Sequence, residues 1–162
     1  MGLREISLTL PNRPGALAGV ARTLAKERIN LAAISVDSTP TRGRVRLVVN
    51  DPDRALALLN ASGYDAEMRE LMAVRLEDRS GSFLKVLEAL AKAKVNLQSV
   101  AILISREGNL PLVAMAADDL VRARKVLRKA GFVAPLAERP VSNADLLAGA
   151  PSIPGESVGL LL

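Results

Sequence analysis

The 162-residue chain contains no cysteine and no histidine. The first absence excludes disulfides, thiolate metal sites and thiol nucleophiles. The second removes the commonest general base and the commonest metal ligand. Catalysis with Lys, Asp, Ser and Arg stays open, but the usual inventory is missing; the expectation is a non-enzyme with no metal, no cofactor and no catalytic residue. Tryptophan is also absent, and two Phe and one Tyr are the whole aromatic content. The core must therefore be built from Leu, Val, Ile and Ala, side chains that suit thin sheets under closely packed helices. No apolar run is long enough to cross a bilayer. The opening Met1-Gly2-Leu3-Arg4-Glu5 leads straight into an alternating pattern without the apolar stretch of a secretory signal. A cytoplasmic location is the expectation.

What is present first is a repeat. The run Asn12-Arg-Pro-Gly-Ala-Leu-Ala-Gly-Val-Ala-Arg-Thr-Leu-Ala-Lys-Glu-Arg-Ile-Asn-Leu31 returns 66 positions later as Asp78-Arg-Ser-Gly-Ser-Phe-Leu-Lys-Val-Leu-Glu-Ala-Leu-Ala-Lys-Ala-Lys-Val-Asn-Leu97. Gly63-Tyr64 is answered by Gly131-Phe132 at an offset of 68, so a short insertion separates the two matches. A repeat of this length means two copies of one supersecondary unit.

Each copy reads alike. Ile6, Leu8 and Leu10 alternate with polar residues, as Met72, Val74 and Leu76 do in the second copy, the period of a half-buried strand. A helix follows, with Leu17, Val20 and Leu24 on one stripe and Phe83, Val86, Leu87 and Leu90 as its counterpart. Pro14 suits the first helical turn. Strands are expected near Asn30–Val36 and Val45–Val49 around a loop through Pro40 and Gly43, and at Asn96–Ile104 and Leu112–Ala116 around Glu107–Asn109. The second helix of each copy starts after Asp51-Pro52-Asp53 or Asp118-Asp119, carboxylates that cap a helix. It ends at Gly63 or Gly131. A short last strand completes the order βαββαβ.

The fold class is therefore α+β: two tandem ferredoxin-like βαββαβ units with their sheets side by side, at residues 1–68 and 69–134, joined strand to strand. Residues 135–162 lie outside the repeat. They are rich in Pro and Gly, with a capping-box-like Ser142-Asn-Ala-Asp145 that suits one short helix.

A strand, then Asn/Asp-Arg-Pro-Gly, then an amphipathic helix ending in Ile/Val-Asn-Leu resembles the ACT domain family. The span 1–134 is similar to stand-alone tandem-ACT amino-acid-binding proteins, including the run from Arg46 to Leu56. The resemblance implies regulatory binding of a free amino acid at interfaces between paired modules, in a homodimer. By resemblance, Asn12, Arg13, Pro14, Gly15, Ala16 and Leu17 with Asn30 and Leu31 form one half-site, completed by a neighbouring module. Asp78, Ser80, Gly81, Ser82 and Phe83 with Asn96 and Leu97 form the other. The second copy departs from the pattern at Ser80, where Pro is usual, and at Phe83, which is bulkier than Leu17. The two sites are not expected to be equivalent.

Physical reading of the same residues agrees. Gly15 and Gly81, where loop enters helix, let a ligand reach the backbone. The free N–H groups of that helix end suit an α-carboxylate. Asn30 and Asn96, expected beside those loops, offer both donor and acceptor to a zwitterion. Asn12 and Asp78 serve equally well as turn and cap residues. Alternative roles are a regulatory subunit of an amino-acid biosynthetic enzyme, or a transcriptional regulator.

The net charge of +5 is concentrated at residues 68–134, with 12 Lys/Arg against 7 Asp/Glu. Arg122, Arg124, Lys125, Arg128 and Lys129 fall on one helix, and Arg42, Arg44 and Arg46 on one hairpin. Without an aromatic platform these read as solvated faces, and nucleic acid is not an expected partner.

Overall fold

The computed structural model describes residues 3–76, 79–104 and 111–132. Its elements run β1 (Leu3–Pro11), α1 (Ala16–Lys26), β2 (Leu31–Ser38), β3 (Arg42–Val49), α2 (Pro52–Ala61), β4 (Ala66–Arg75), α3 (Ser82–Lys92), β5 (Leu97–Ile104), β6 (Pro111–Ala117) and α4 (Leu120–Lys129). This is an α+β fold with four helices, consistent with the expected βαββαβ order. All its strand pairings are antiparallel, in one six-stranded sheet of order β2-β3-β1-β4-β6-β5. Asp78, the loop at Glu107–Asn109, the closing strand of the second copy and residues 135–162 lie outside the described residues.

β4 is where the halves meet. Its residues Ala66–Leu71 pair with Leu3–Leu8 of β1, and Met72–Arg75 pair with Leu112–Met115 of β6. The last strand of the first copy and the first strand of the second are thus one strand, and a boundary at 68/69 falls inside it. Strand alternation carries straight through: Ala66, Met68, Met72, Val74 and Leu76 face the helices. Leu71 and Ala73 face away.

Three apolar clusters follow from that alternation. Ile6, Leu8 and Leu10 with Val20, Leu24, Val45, Leu47 and Leu59 fill the space under α1 and α2. Met72, Val74, Val86, Leu90, Met115 and Leu127 do the same under α3 and α4. A third cluster, on the face turned away from the helices, joins Leu3, Val48 and Leu71 to Leu103, Leu112, Ala114 and Ala116, and so spans both halves. Full burial of a leucine such as Leu59 stabilises by about 2 kcal/mol. Aliphatic side chains supply nearly all of each cluster; Tyr64 packs against the first, and Phe83 and Phe132 against the second.

The helix ends show local chemistry at work. Asp51 and Asp119 accept hydrogen bonds from the Arg54 and Arg122 amides at 3.2 and 2.8 Å, so each caps its helix. α2 and α4 stop at Gly63 and Gly131, both at positive φ, as expected. α1 and α3 stop without glycine: Arg28 and Lys94 take φ of 55° and 56°, while the next amides, Ile29 and Val95, bond back to Leu24 and Leu90 at 3.0 Å. Helix α1 opens at Ala16, so Pro14 stands in the turn before it rather than in its first turn. Gly43 lies within β3, opposite Leu10 and Ser38, and not in the hairpin loop.

Arg4 reaches from β1 to α2, where its guanidinium grips both oxygens of Asp53 at 2.6 and 2.7 Å. That hydrogen bonding holds the Asp53 carboxyl below its ordinary range. Arg124 donates to Glu70 Oε2 at 3.5 Å and the Leu71 carbonyl at 3.3 Å, tying α4 to β4. Arg46 bonds Ser35 and pairs with Asp37. Neither arginine is a purely solvated charge.

A left-handed conformation costs a side-chain-bearing residue about 1 kcal/mol. Arg28→Gly is therefore expected to raise the unfolding free energy by about that amount, read from the midpoint of a urea titration. Asp53, with its folded pKa depressed, contributes stability above the unfolded carboxylate value that is lost as pH falls through the folded one. Asp53→Asn should flatten the loss of melting temperature on acidification below about pH 4, and an unchanged acid limb would show that the pair contributes nothing.

Candidate functional site

The turn into α1 has an unusual opening. Gly15 occupies the N-cap position at φ 84°, in the left-handed region, and no side chain caps the helix. Gly81 repeats this before α3 at φ 85°, again without a side-chain cap. Ala16 and Ser82 donate their amides to the Arg13 and Arg79 carbonyls at 3.2 Å, so the next two amides of each first turn, Leu17 and Ala18 or Phe83 and Leu84, are the ones left to solvent or to a ligand. A Cβ built on either glycine meets nothing within 4 Å, so the left-handed backbone and not crowding is what calls for glycine at these positions. Asn12, Arg13, Pro14 and Gly15 are exposed, as are Ser80 and Gly81. Ala16 and Leu17 pack partly against the first core, and Phe83 against the second; Ser82 is half-buried. The Asn12 side chain donates to the Thr39 carbonyl at 2.8 Å, which fastens the turn to the β2–β3 hairpin.

Asn30 and Asn96 stand just before β2 and β5. Each is clamped by its backbone: Asn30 donates its amide to Asn50 Oδ1 at 3.0 Å and accepts from the Asn50 amide at 3.1 Å. Asn96 makes the same two bonds with Asp118, at 3.1 Å each. Both side chains are exposed, and among the described residues neither has a hydrogen-bond partner. Leu31 and Leu97 turn partly into the first and second cores.

The clamps on Asn30 and Asn96 were not legible as such. Asp51-Pro52-Asp53 and Asp118-Asp119 read as helix caps, but only Asp51 and Asp119 cap; the residues just before them are Asn50 and Asp118. These two hold the asparagines, and the signal was their recurrence at the same offset of 68 as Gly63 and Gly131.

One expectation is overturned by topology. Asn30 does not lie beside the Gly15 turn. The Asn12 amide bonds Thr41, just before β3, whereas Asn30 bonds Asn50, just after it. Eight residues of extended β3 separate the two, a distance of about 25 Å. The reason is the crossover itself. β1 and β2 are both antiparallel to β3, so the loop leaving β1 and the loop entering β2 fall at opposite ends of the sheet. The second half behaves alike: Arg75 pairs with Leu112 near the start of β6, and Asn96 bonds Asp118 just after its end.

Exposed large apolar residues lie on the two outer strands and on two helices: Ile34 and Val36 on β2 and Val100 and Ile102 on β5 are 42–70% exposed, and Leu84 on α3 and Val121 on α4 are exposed as well. Among the described residues, β2 and β5 are the edges of the sheet. Among the described residues no group of acidic side chains could hold a metal ion. Nor is any helix among them long and apolar enough to cross a membrane.

With this geometry in view, the ACT domain family matches residues 4–61, which contain the Gly15 turn and Asn30. No curated protein matches the chain. Among solved structures, protein BT0572 from Bacteroides thetaiotaomicron is 24% identical with a TM-score of 0.78, over 91% of this chain and 97% of that one. The ligand-free regulatory subunit of aspartate kinase from Thermus thermophilus is 20% identical with a TM-score of 0.58, over 80% and 93%. At these identities the likeness is one of fold.

Removing either clamp acceptor frees one backbone amide at an exposed position, worth about 1 kcal/mol. Asn50→Ala and Asp118→Ala should each lower stability by that amount in urea, and their effects should add, since they sit in different halves.

Proposed function

We propose that the chain is a non-enzymatic regulatory protein built of two tandem ACT modules that binds a free amino acid between chains. The observation that carries this is the exposed left-handed glycine opening of α1, with no side-chain cap, inside the span that matches the ACT domain. An α-carboxylate is the natural guest of such a helix end, because aligned amides and the helix dipole favour negative charge there. The ammonium needs an acceptor, and Asn30 offers an unengaged side-chain carbonyl.

Since Asn30 is about 25 Å from the turn of its own half, the partner asparagine comes from elsewhere. Antiparallel pairing of two β2 edges, one from each of two chains, brings Asn30 of one chain level with the Gly15 turn of the other. The exposed Ile34 and Val36 would be covered in the same step. This makes a homodimer part of the site. β5, with Val100, Ile102 and Asn96, offers the corresponding edge for the Gly81 turn. A role as regulatory subunit of a biosynthetic enzyme uses the same site and differs only in what ligand binding controls; an enzyme that co-purifies would favour it.

A thermal-shift screen of the full chain against the proteinogenic amino acids tests the reading. One or a few should raise the melting temperature in a concentration-dependent way. Asn30→Ala should weaken that binding about tenfold while leaving the unliganded melting temperature nearly unchanged. Flat curves with every amino acid would overturn the proposal.

A further inference from the structure

Glu5 is the one buried charged side chain among the described residues. It faces Arg69 directly across the β1–β4 ladder. Arg69 donates to Glu5 Oε1 from Nε at 2.8 Å and from Nη2 at 2.6 Å. The same Nη2 also donates to Ser99 Oγ at 2.9 Å. A buried carboxylate deprived of its cation is strongly disfavoured, so Glu5 fixes where the guanidinium lies. Ser99 is on β5, in the other half of the molecule, and closes the register shift that begins at Leu97. Asn96 stands one residue before that shift.

The N-terminal half lacks this device. The position matching Ser99 is Ala33, which closes the equivalent irregularity after Leu31 and has no hydroxyl to offer. The segment seating Asn30 therefore has no such tether between the halves, whereas the segment seating Asn96 is tethered through Ser99 and Arg69 to β1 and β4.

We propose that Arg69 is a coupling residue: through Ser99 it makes the seating of Asn96 depend on the Glu5 pair of the N-terminal half. The functional meaning rests on the reading of Asn96 as a ligand-binding residue. A ligand that shifts Asn96 then pulls on β1 and β4, while one at Asn30 has no matching route.

The test is amide hydrogen exchange on the ligand-free full chain, comparing residues 97–100 with residues 31–34. Ser99→Ala is expected to speed exchange at 97–100 about fivefold to tenfold, the loss of one charge-assisted hydrogen bond. Arg69→Met should do at least as much, Ser99→Thr should restore the slow rate, and residues 31–34 should not change. Ser99→Ala removes a single hydroxyl, so the test stands even where Arg69→Met folds poorly. Unchanged exchange at 97–100 in Ser99→Ala would overturn the coupling, and so would equal acceleration at 31–34. Because no ligand is present, a chain that binds no amino acid can still show the tether. A chain that binds one while Ser99→Ala leaves exchange unaltered keeps the sensing role and loses this one.

Discussion

Everything in this molecule depends on β4 being a single strand. Its side chains alternate without interruption from Ala66 to Leu76, pairing first with β1 and then with β6. Two helical layers, each with its own apolar cluster, are therefore set on the same side of one sheet by one register. A slip of one residue in β4 would turn Met72 and Val74 outward and Leu71 and Ala73 inward, emptying the second and third clusters together. The third cluster, which takes residues from both halves, ties the two together across the strand. So do the polar contacts of Arg69 and Arg124.

The crossover topology imposed by that sheet also dictates how a site can be built. A turn that leaves the Leu17 and Ala18 amides unbonded follows β1, and an asparagine with an unengaged side chain precedes β2, yet they sit at opposite ends of the same sheet. No motion short of unfolding brings them together within one half. Among the described residues the β2 and β5 edges, with their exposed aliphatic side chains, are unpaired, and under the proposed function another chain completes the arrangement there.

Much of this was legible in the residues. The repeat named the elements, the amphipathic stripes gave the core positions Val20, Leu24, Val86 and Leu90, and Gly15 and Gly81 marked the open helix ends. What escaped was information that resides in three dimensions. Loop-to-strand proximity follows from strand direction, which periodicity does not encode, so Asn30 was placed beside the wrong turn. Arg28 and Lys94 take a left-handed conformation because the Ile29 and Val95 amides must reach back to Leu24 and Leu90, and nothing in an arginine or lysine announces it. The pairing of Glu5 with Arg69 joins residues 64 positions apart through a register that only the folded ladder fixes.

The central claim is that one ligand joins the Gly15 turn of one chain to Asn30 of another. Amide chemical shifts of the full chain, followed during titration with the amino acid that most raises its melting temperature, test this directly. The amides of Leu17 and Ala18 and the side-chain amide of Asn30 should move with a common midpoint, although they are too far apart in one chain to touch the same small molecule. Movement of only one of these groups, or of neither, would contradict the shared site.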